Sequence, residues 1–184
     1  MTGRAADEED RASALLGLYD EALPHVYGYL LSRCGHVATA EELTSETWLA
    51  AAAAIAVPPV GMSRPAATIS TAWLIGVARH KLVDHWRREG REQRNLRAVA
   101  SSEASEPAID SAVLDQLDVM AAREVLERLS SNHRAALTLR YVDDLPVAEV
   151  ARSLGRSEHG AESLLARARS AFKTAYLAGE ADDA

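Results

Sequence analysis

Residues 145–178 read LPVAEVARSLGRSEHGAESLLARARSAFKTAYLA, and this stretch decides the fold. Pro146 suits the first turn of a helix, where its missing N–H costs nothing. Val147, Val150, Ala151 and Leu154 then recur at three- and four-residue intervals and form an inward face. Gly155 follows at the point where a two-helix hairpin needs an unhindered backbone. Ser157 is a suitable cap for a second helix, which buries Ala161, Leu164, Leu165, Ala168 and Phe172. The opposite side of that helix exposes Arg156, Glu158, His159, Glu162, Ser163, Ala166 and Arg167. This is a helix-turn-helix pattern; such hairpins are common, so its meaning depends on the rest of the chain.

Just upstream, DQLDVMAAREVLERLS (115–130) and SNHRAALTLRYVDD (131–144) predict two short amphipathic helices. Before them, residues 98–118, AVASSEASEPAIDSAVLDQLD, lack periodicity, are rich in Ser, Ala, Glu and Asp, and contain no Lys or Arg. That composition reads as a flexible linker. It separates an N-terminal domain, 11–97, from a C-terminal one, 119–178. No segment has a strand pattern, and aromatic residues are only 5% of the chain, which favours helices over sheets. The expected class is all-α: two small helical domains joined by a flexible acidic linker.

In the N-terminal half, ASALLGLYDEALPHVYGYLLSRC (12–34) predicts an amphipathic helix bent at Pro24. TAEELTSETWLAAAAAIA (39–56) predicts a second, with Thr39 as its N-cap and Glu41 and Glu42 in its first turn. Its Glu41, Glu42, Ser45 and Glu46 make a compact acidic and polar face suited to a basic partner. VPPVGMSRPAATIST (57–71) breaks the chain. The third helix, WLIGVARHKLVDHWRREGREQRNLR (73–97), begins as a core helix and ends in arginines. At 100° per residue, Leu74, Val77, Ala78, Leu82 and His85 form one face. His80, Asp84, Arg87 and Arg91 form the opposite stripe, with Trp86 at the boundary. A tryptophan beside guanidinium groups can stack on an unpaired base while the arginines hold phosphates.

The net charge of −7 conceals this basic character. The two termini and the linker hold 12 of the 27 acids and one base, leaving 19 bases against 15 acids elsewhere. Two mildly basic bodies are thus joined and flanked by acidic polymer, which limits promiscuous binding to polyanions. The single cysteine, Cys34, excludes an internal disulfide and is expected as a reduced, half-buried thiol. His80 and Asp84 share a helix face but His85 points away, so no metal site is expected. No Gly-rich phosphate loop or nucleophile elbow is present, so neither a cofactor nor catalysis is expected. The polar start and the absence of a long apolar run predict no membrane insertion and a cytoplasmic location.

Taken in order, four motifs over residues 13–178 resemble the extracytoplasmic-function sigma factors of bacterial RNA polymerase. LYDEALPHVYGYLLSRCG (18–35) is similar to the first helix of that family, and ATAEELTSETWLAA (38–51) to its polymerase-docking motif. AWLIGVARHKLVDHWRRE (72–89) is similar to its promoter-melting helix, and 145–172 to its C-terminal helix-turn-helix. The resemblance implies a promoter-specificity subunit that binds core RNA polymerase and promoter DNA. Glu41, Glu42, Thr44, Ser45, Glu46 and Trp48 would dock on the beta-prime clamp helices. Met62, Ser63 and Arg64 would cradle a flipped −10 base. Arg79, His80, Asp84, Trp86, Arg87, Arg88 and Arg91 would hold and melt the −10 strand. Arg156, Ser157, His159, Glu162, Ser163 and Arg167 would read the −35 element, beside the beta flap. The resemblance also implies an anti-sigma partner. Departures from the family pattern are His80 for Asn, Ser45 for Gln, and Glu162 and Leu164 for the usual Lys and Arg, which thin the charge of the reading helix. Two other functions fit parts of the sequence: a sigma-like decoy that sequesters an anti-sigma factor, and an autonomous helix-turn-helix regulator.

Overall fold

The computed structural model describes residue 10 and residues 12–56, 69–97 and 119–182, and every regular element among them is helical. By packing the chain divides into two compact units, Met1–Leu82 and Val83–Ala184. No helix among the described residues is long and apolar enough to cross a membrane.

The first unit is built on α1 (Tyr19–Cys34), α2 (Val37–Ala56) and the first half of α3 (Thr71–Arg97). Buried Ala22, Val26, Leu30 and Cys34 lie four residues apart along α1. They meet Ala40, Leu43, Thr44, Thr47, Ala51 and Ile55 of the adjacent α2. Leu74, Ala78 and Leu82 complete the buried set from α3. The alanines let helix axes approach, and each fully buried leucine stabilises the unit by about 1.5–3 kcal/mol. Two of the buried groups are threonines, whose hydroxyls stay satisfied by donating back one turn. Thr44 Oγ1 donates to the Ala40 carbonyl and Thr47 Oγ1 to the Leu43 carbonyl, both at 2.7 Å.

Three local expectations are corrected here. The single helix expected over 12–34 is divided at Leu18 into a helical stretch 12–17 and α1, and Pro24 lies inside α1. Pro24 and Asp20 are exposed, so water can satisfy the Asp20 carbonyl that the proline leaves without its helical N–H. Thr39 is not an N-cap: Gly35, in the left-handed region at φ 74°, ends α1, and α2 starts at Val37. Glu41 and Glu42 accordingly lie beyond the first turn. Cys34 is buried, with its Sγ donating to the His36 carbonyl at 3.5 Å.

The second unit holds the rest of α3, then α4 (Val119–Arg128), α5 (Ser131–Leu137), a π-helical turn (Thr138–Val142), α6 (Val147–Leu154) and α7 (Glu158–Asp182). Helix α7 is its spine, packed by α4, α5 and α6. Val125, Leu129, Leu137, Ala168 and Phe172 form one buried cluster, and Ala136, Leu164 and Leu165 a second. The Ser130 hydroxyl caps α5 by accepting from the His133 N–H. Arg134 holds the end of α4 by donating to the carbonyls of Leu126 and Glu127.

The π-helical turn replaces what the sequence predicts as plain helix. The Asp143 N–H donates to the Thr138 carbonyl at 2.9 Å, one residue further than an α-helix allows. Asp144 then takes φ 51°, and Arg140 donates to its carboxylate and to the Leu145 carbonyl, bracing the exit. Aspartate is among the few residues that accept this left-handed conformation at low cost. Helix α6 begins at Val147 with Pro146 as its cap position, and Gly155 ends it at φ 60°. The Ser157 hydroxyl accepts from the Gly160 N–H at 3.1 Å, capping α7 as its sequence position suggests.

Candidate functional site

Three faces carry the residues with functional expectations. On α2, Glu41, Glu42 and Ser45 are exposed on the side away from the buried Leu43, Thr44 and Thr47. The other three expected docking residues point elsewhere. Thr44 is buried and holds its helix by the back-bond described above. Glu46 is 3.3 Å from the Lys81 ammonium of α3. Trp48 packs its ring on Tyr19 at 4.7 Å and leaves its Nε1 buried without a partner. Of these three side chains Thr44 is buried, while Glu46 and Trp48 are half-buried at the edge of the exposed face. Leu49 joins that surface instead. It is 72% exposed and continues the four-residue row of Glu41 and Ser45. The spacing was the available signal, but the alanine run after Leu49 makes it read as core.

On α3 the polar stripe is as the helical period predicts. His80, Asp84, Arg88 and Arg91 are exposed, and Arg79 and Arg87 are half-buried. Asp84 lies 3.4 Å from Arg87 and offsets part of its charge. Trp86 is the exception, at 1% exposure with no partner for its Nε1. The sequence puts it at the boundary because buried positions repeat every four residues here, at 74, 78, 82, 86 and 90. A four-residue repeat drifts about 40° per step around a 3.6-residue helix, so the buried face moves towards Trp86. Met62, Ser63 and Arg64 lie outside the described residues.

On α7 and the turn before it, Arg156, Ser157, His159, Glu162, Ser163 and Arg167 are all exposed, together with Ala166. His159 and Glu162 are 3.9 Å apart, and the Arg167 Nε donates to the Ser163 carbonyl at 3.3 Å. The surface therefore has an acidic centre flanked by two arginines. Leu164 is 3% exposed and belongs to the core, so it removes no charge from this face; the departure at Glu162 is the one that changes it. Tyr141 and Val142, on the π-helical turn, are exposed apolar residues that the sequence reading missed. Arg169 donates to the Tyr141 hydroxyl at 3.2 Å. No signal for them existed, because their exposure follows from a register that only the fold reveals.

Among the described residues no three His, Cys, Asp or Glu side chains converge on a metal-sized site.

A family model described as Sigma-70 region 2 matches residues 18–92, and one described as Sigma-70, region 4 matches residues 120–172. The ECF RNA polymerase sigma factor BldN of Streptomyces coelicolor is 33% identical over 85% of this chain, which spans 58% of that relative's length. The ECF RNA polymerase sigma factor SigL of Mycobacterium tuberculosis is 32% identical over 90% of this chain and 88% of its own. Among solved structures, the sigma factor RpoE of Bartonella quintana, in complex with the anti-sigma factor NepR, aligns over 85% of this chain and 92% of its own. Its TM-score is 0.50 at 22% identity, a likeness of fold. The chain is a member of the extracytoplasmic-function sigma factors of the sigma-70 family.

Proposed function

We propose that this chain is a dissociable promoter-specificity subunit: it binds core RNA polymerase, reads −35 and −10 elements, assists melting, and leaves catalysis to the polymerase. In this reading residues 11–97 dock and melt, 119–178 read the −35 element, and 98–118 connect them. The clamp helices of the largest polymerase subunit receive Glu41, Glu42, Ser45 and Leu49, and the beta flap meets the C-terminal module. An anti-sigma factor is the expected regulator.

The observation that carries this reading is the face of α7. Six residues able to hydrogen-bond base edges or phosphates project from α7 and the turn before it, just after Gly155, while the other side of the helix is closed core. A helix so presented fits the major groove. The same chain carries a basic, strand-binding stripe on α3, which an operator-binding regulator does not need. Run-off transcription with core RNA polymerase on sheared genomic DNA tests the proposal. Discrete new starts sharing upstream elements support it. Core binding without transcripts favours the decoy, and tight duplex binding without polymerase favours the autonomous regulator.

Two consequences can be measured in that assay. Arg88→Ala with Arg91→Ala removes two exposed cations from the melting stripe. Promoter opening, followed by permanganate reactivity, is expected to fall while core binding holds. The salt slope of single-strand binding should drop by about 1.4, at roughly 0.7 per phosphate contact. Equal loss of core binding would contradict the role. Glu162 can accept a hydrogen bond from cytosine N4, whereas glutamine pairs with adenine N6 and N7. Glu162→Gln should therefore shift one −35 position from C towards A, by roughly tenfold at 1–3 kcal/mol per contact. Transcripts from a randomised −35 library report the shift, and an unchanged preference would remove Glu162 from the reading surface.

A further inference from the structure

Within the first unit an ion pair joins the docking helix to the start of the melting stripe. The Lys81 ammonium of α3 lies 3.3 Å from the Glu46 carboxylate of α2, and the two side chains are 31% and 27% exposed. Each partner stands at the edge of a functional face. Glu46 follows Glu42 by one turn and precedes Leu49 by three residues, and both of those are exposed. Lys81 precedes Arg88 by seven residues, which on a 3.6-residue helix sets the two within about 20° of one row. Asp84 and Arg88 are exposed beside that row. Lys81 is therefore a cation of the stripe that the sequence reading leaves out.

Arg87 also has an acid nearby, Asp84 at 3.4 Å, but that acid sits on the same helix and moves with it. Glu46 instead belongs to the helix read as meeting the polymerase. A basic docking partner competes with Lys81 for Glu46, and a DNA phosphate competes with Glu46 for Lys81. Water screens an ion pair this exposed, so it contributes little to the fold and can change partners at small cost. The core beneath it is independent of the pair: Leu43, Thr47, Ala78 and Leu82 stay buried on the same two helices.

We propose that Lys81 is a further strand-binding residue and that Glu46 positions it. Glu46 holds the ammonium against α2; when Glu46 turns to a basic group of the docked polymerase, Lys81 turns to a phosphate of the opened strand. Docking and strand binding then favour each other, by a coupling that linkage makes equal in both directions. This rests on the promoter reading of α2 and α3.

Glu46→Gln in the full-length chain tests the pair, with fluorescein-labelled (dT)20 titrated at several salt concentrations. Binding is expected to tighten about threefold, the worth of a partly exposed ion pair. The salt slope is expected to steepen by about 0.7, one further phosphate contact. Adding Lys81→Gln removes both gains, whereas a merely structural effect of Glu46 would neither change the slope nor depend on Lys81. Glu46→Ala carries the same expectations should glutamine still hold the lysine. No gain with either variant, or a gain that survives Lys81→Gln, overturns the proposal. Lys81 and Lys173 are the only lysines of the chain, so a short acetylation pulse read by mass spectrometry follows each separately. Core polymerase is expected to speed acetylation of Lys81 in the parent and to leave its rate unchanged in Glu46→Gln. Core that binds the parent without altering Lys81 overturns the exchange. A chain that binds no core ends the promoter reading, while the (dT)20 series still decides whether Glu46 restrains Lys81.

Discussion

Glu41→Arg combined with Glu42→Arg will leave the chain folded and deprive it of core RNA polymerase. Both side chains are exposed on α2, and neither contributes to the buried set of the first unit, so helix and core are retained. The acids meet a basic partner in the proposed complex, and reversal turns two attractions into repulsions. Like charges brought together at an interface cost several kcal/mol, so binding should weaken by at least about 100-fold. Surface plasmon resonance with immobilised core measures this, with circular dichroism confirming the fold. Binding within threefold of the parent would remove α2 from the docking surface. Leu49→Ser tests the same face without charge and is expected to weaken binding in the same direction, by less.

Phe172→Ala should melt the second unit. Phe172 is 8% exposed, packs with Val125, Leu129, Leu137 and Ala168, and stacks on Tyr176 at 6.1 Å between ring centroids. Truncating a buried phenylalanine costs about 3–5 kcal/mol, because the cavity only partly collapses. A helical unit of this size has a stability on the order of 5–15 kcal/mol, so the loss takes a large share of it. The corresponding transition should fall by roughly 15–30 °C in a thermal melt followed at 222 nm. A fall under about 5 °C would mean that the cluster around α7 is not closed as described.

How far the sequence could be read depended on what set each feature. Helix α7 and the turn before it were readable in full, because Gly155, Ser157 and the apolar spacing from Ala161 to Phe172 act within a turn or two. The polar stripe of α3 was readable for the same reason. What failed was decided by packing from afar. Trp86 sits on the edge of an ideal helix, and only its neighbours in the folded unit settle that it is covered. Within the expected docking motif, Thr44 is buried and Glu46 pairs with Lys81, placements that the motif's letters alone do not reveal. Thr39 has the chemistry of a cap, but the left-handed Gly35 ended α1 early enough for α2 to start before it. Leu49 went unassigned in the sequence, because the alanine run that follows it hides its place on the exposed row.

The π-helical turn at Thr138–Val142 sets a rule for chain length. A π turn accommodates one residue more than the α-helix it interrupts. Losing that residue would restore α geometry and rotate everything after it by about 100°. Leu145 and Val150 would then swing out of their cluster, and the exposed face of α7 would turn with them. Substitutions can be absorbed at the exposed Tyr141 and Val142, whereas insertions and deletions anywhere between Thr138 and Val142 cannot. Drift within this lineage is therefore expected to change the exposed letters of the segment and preserve its count.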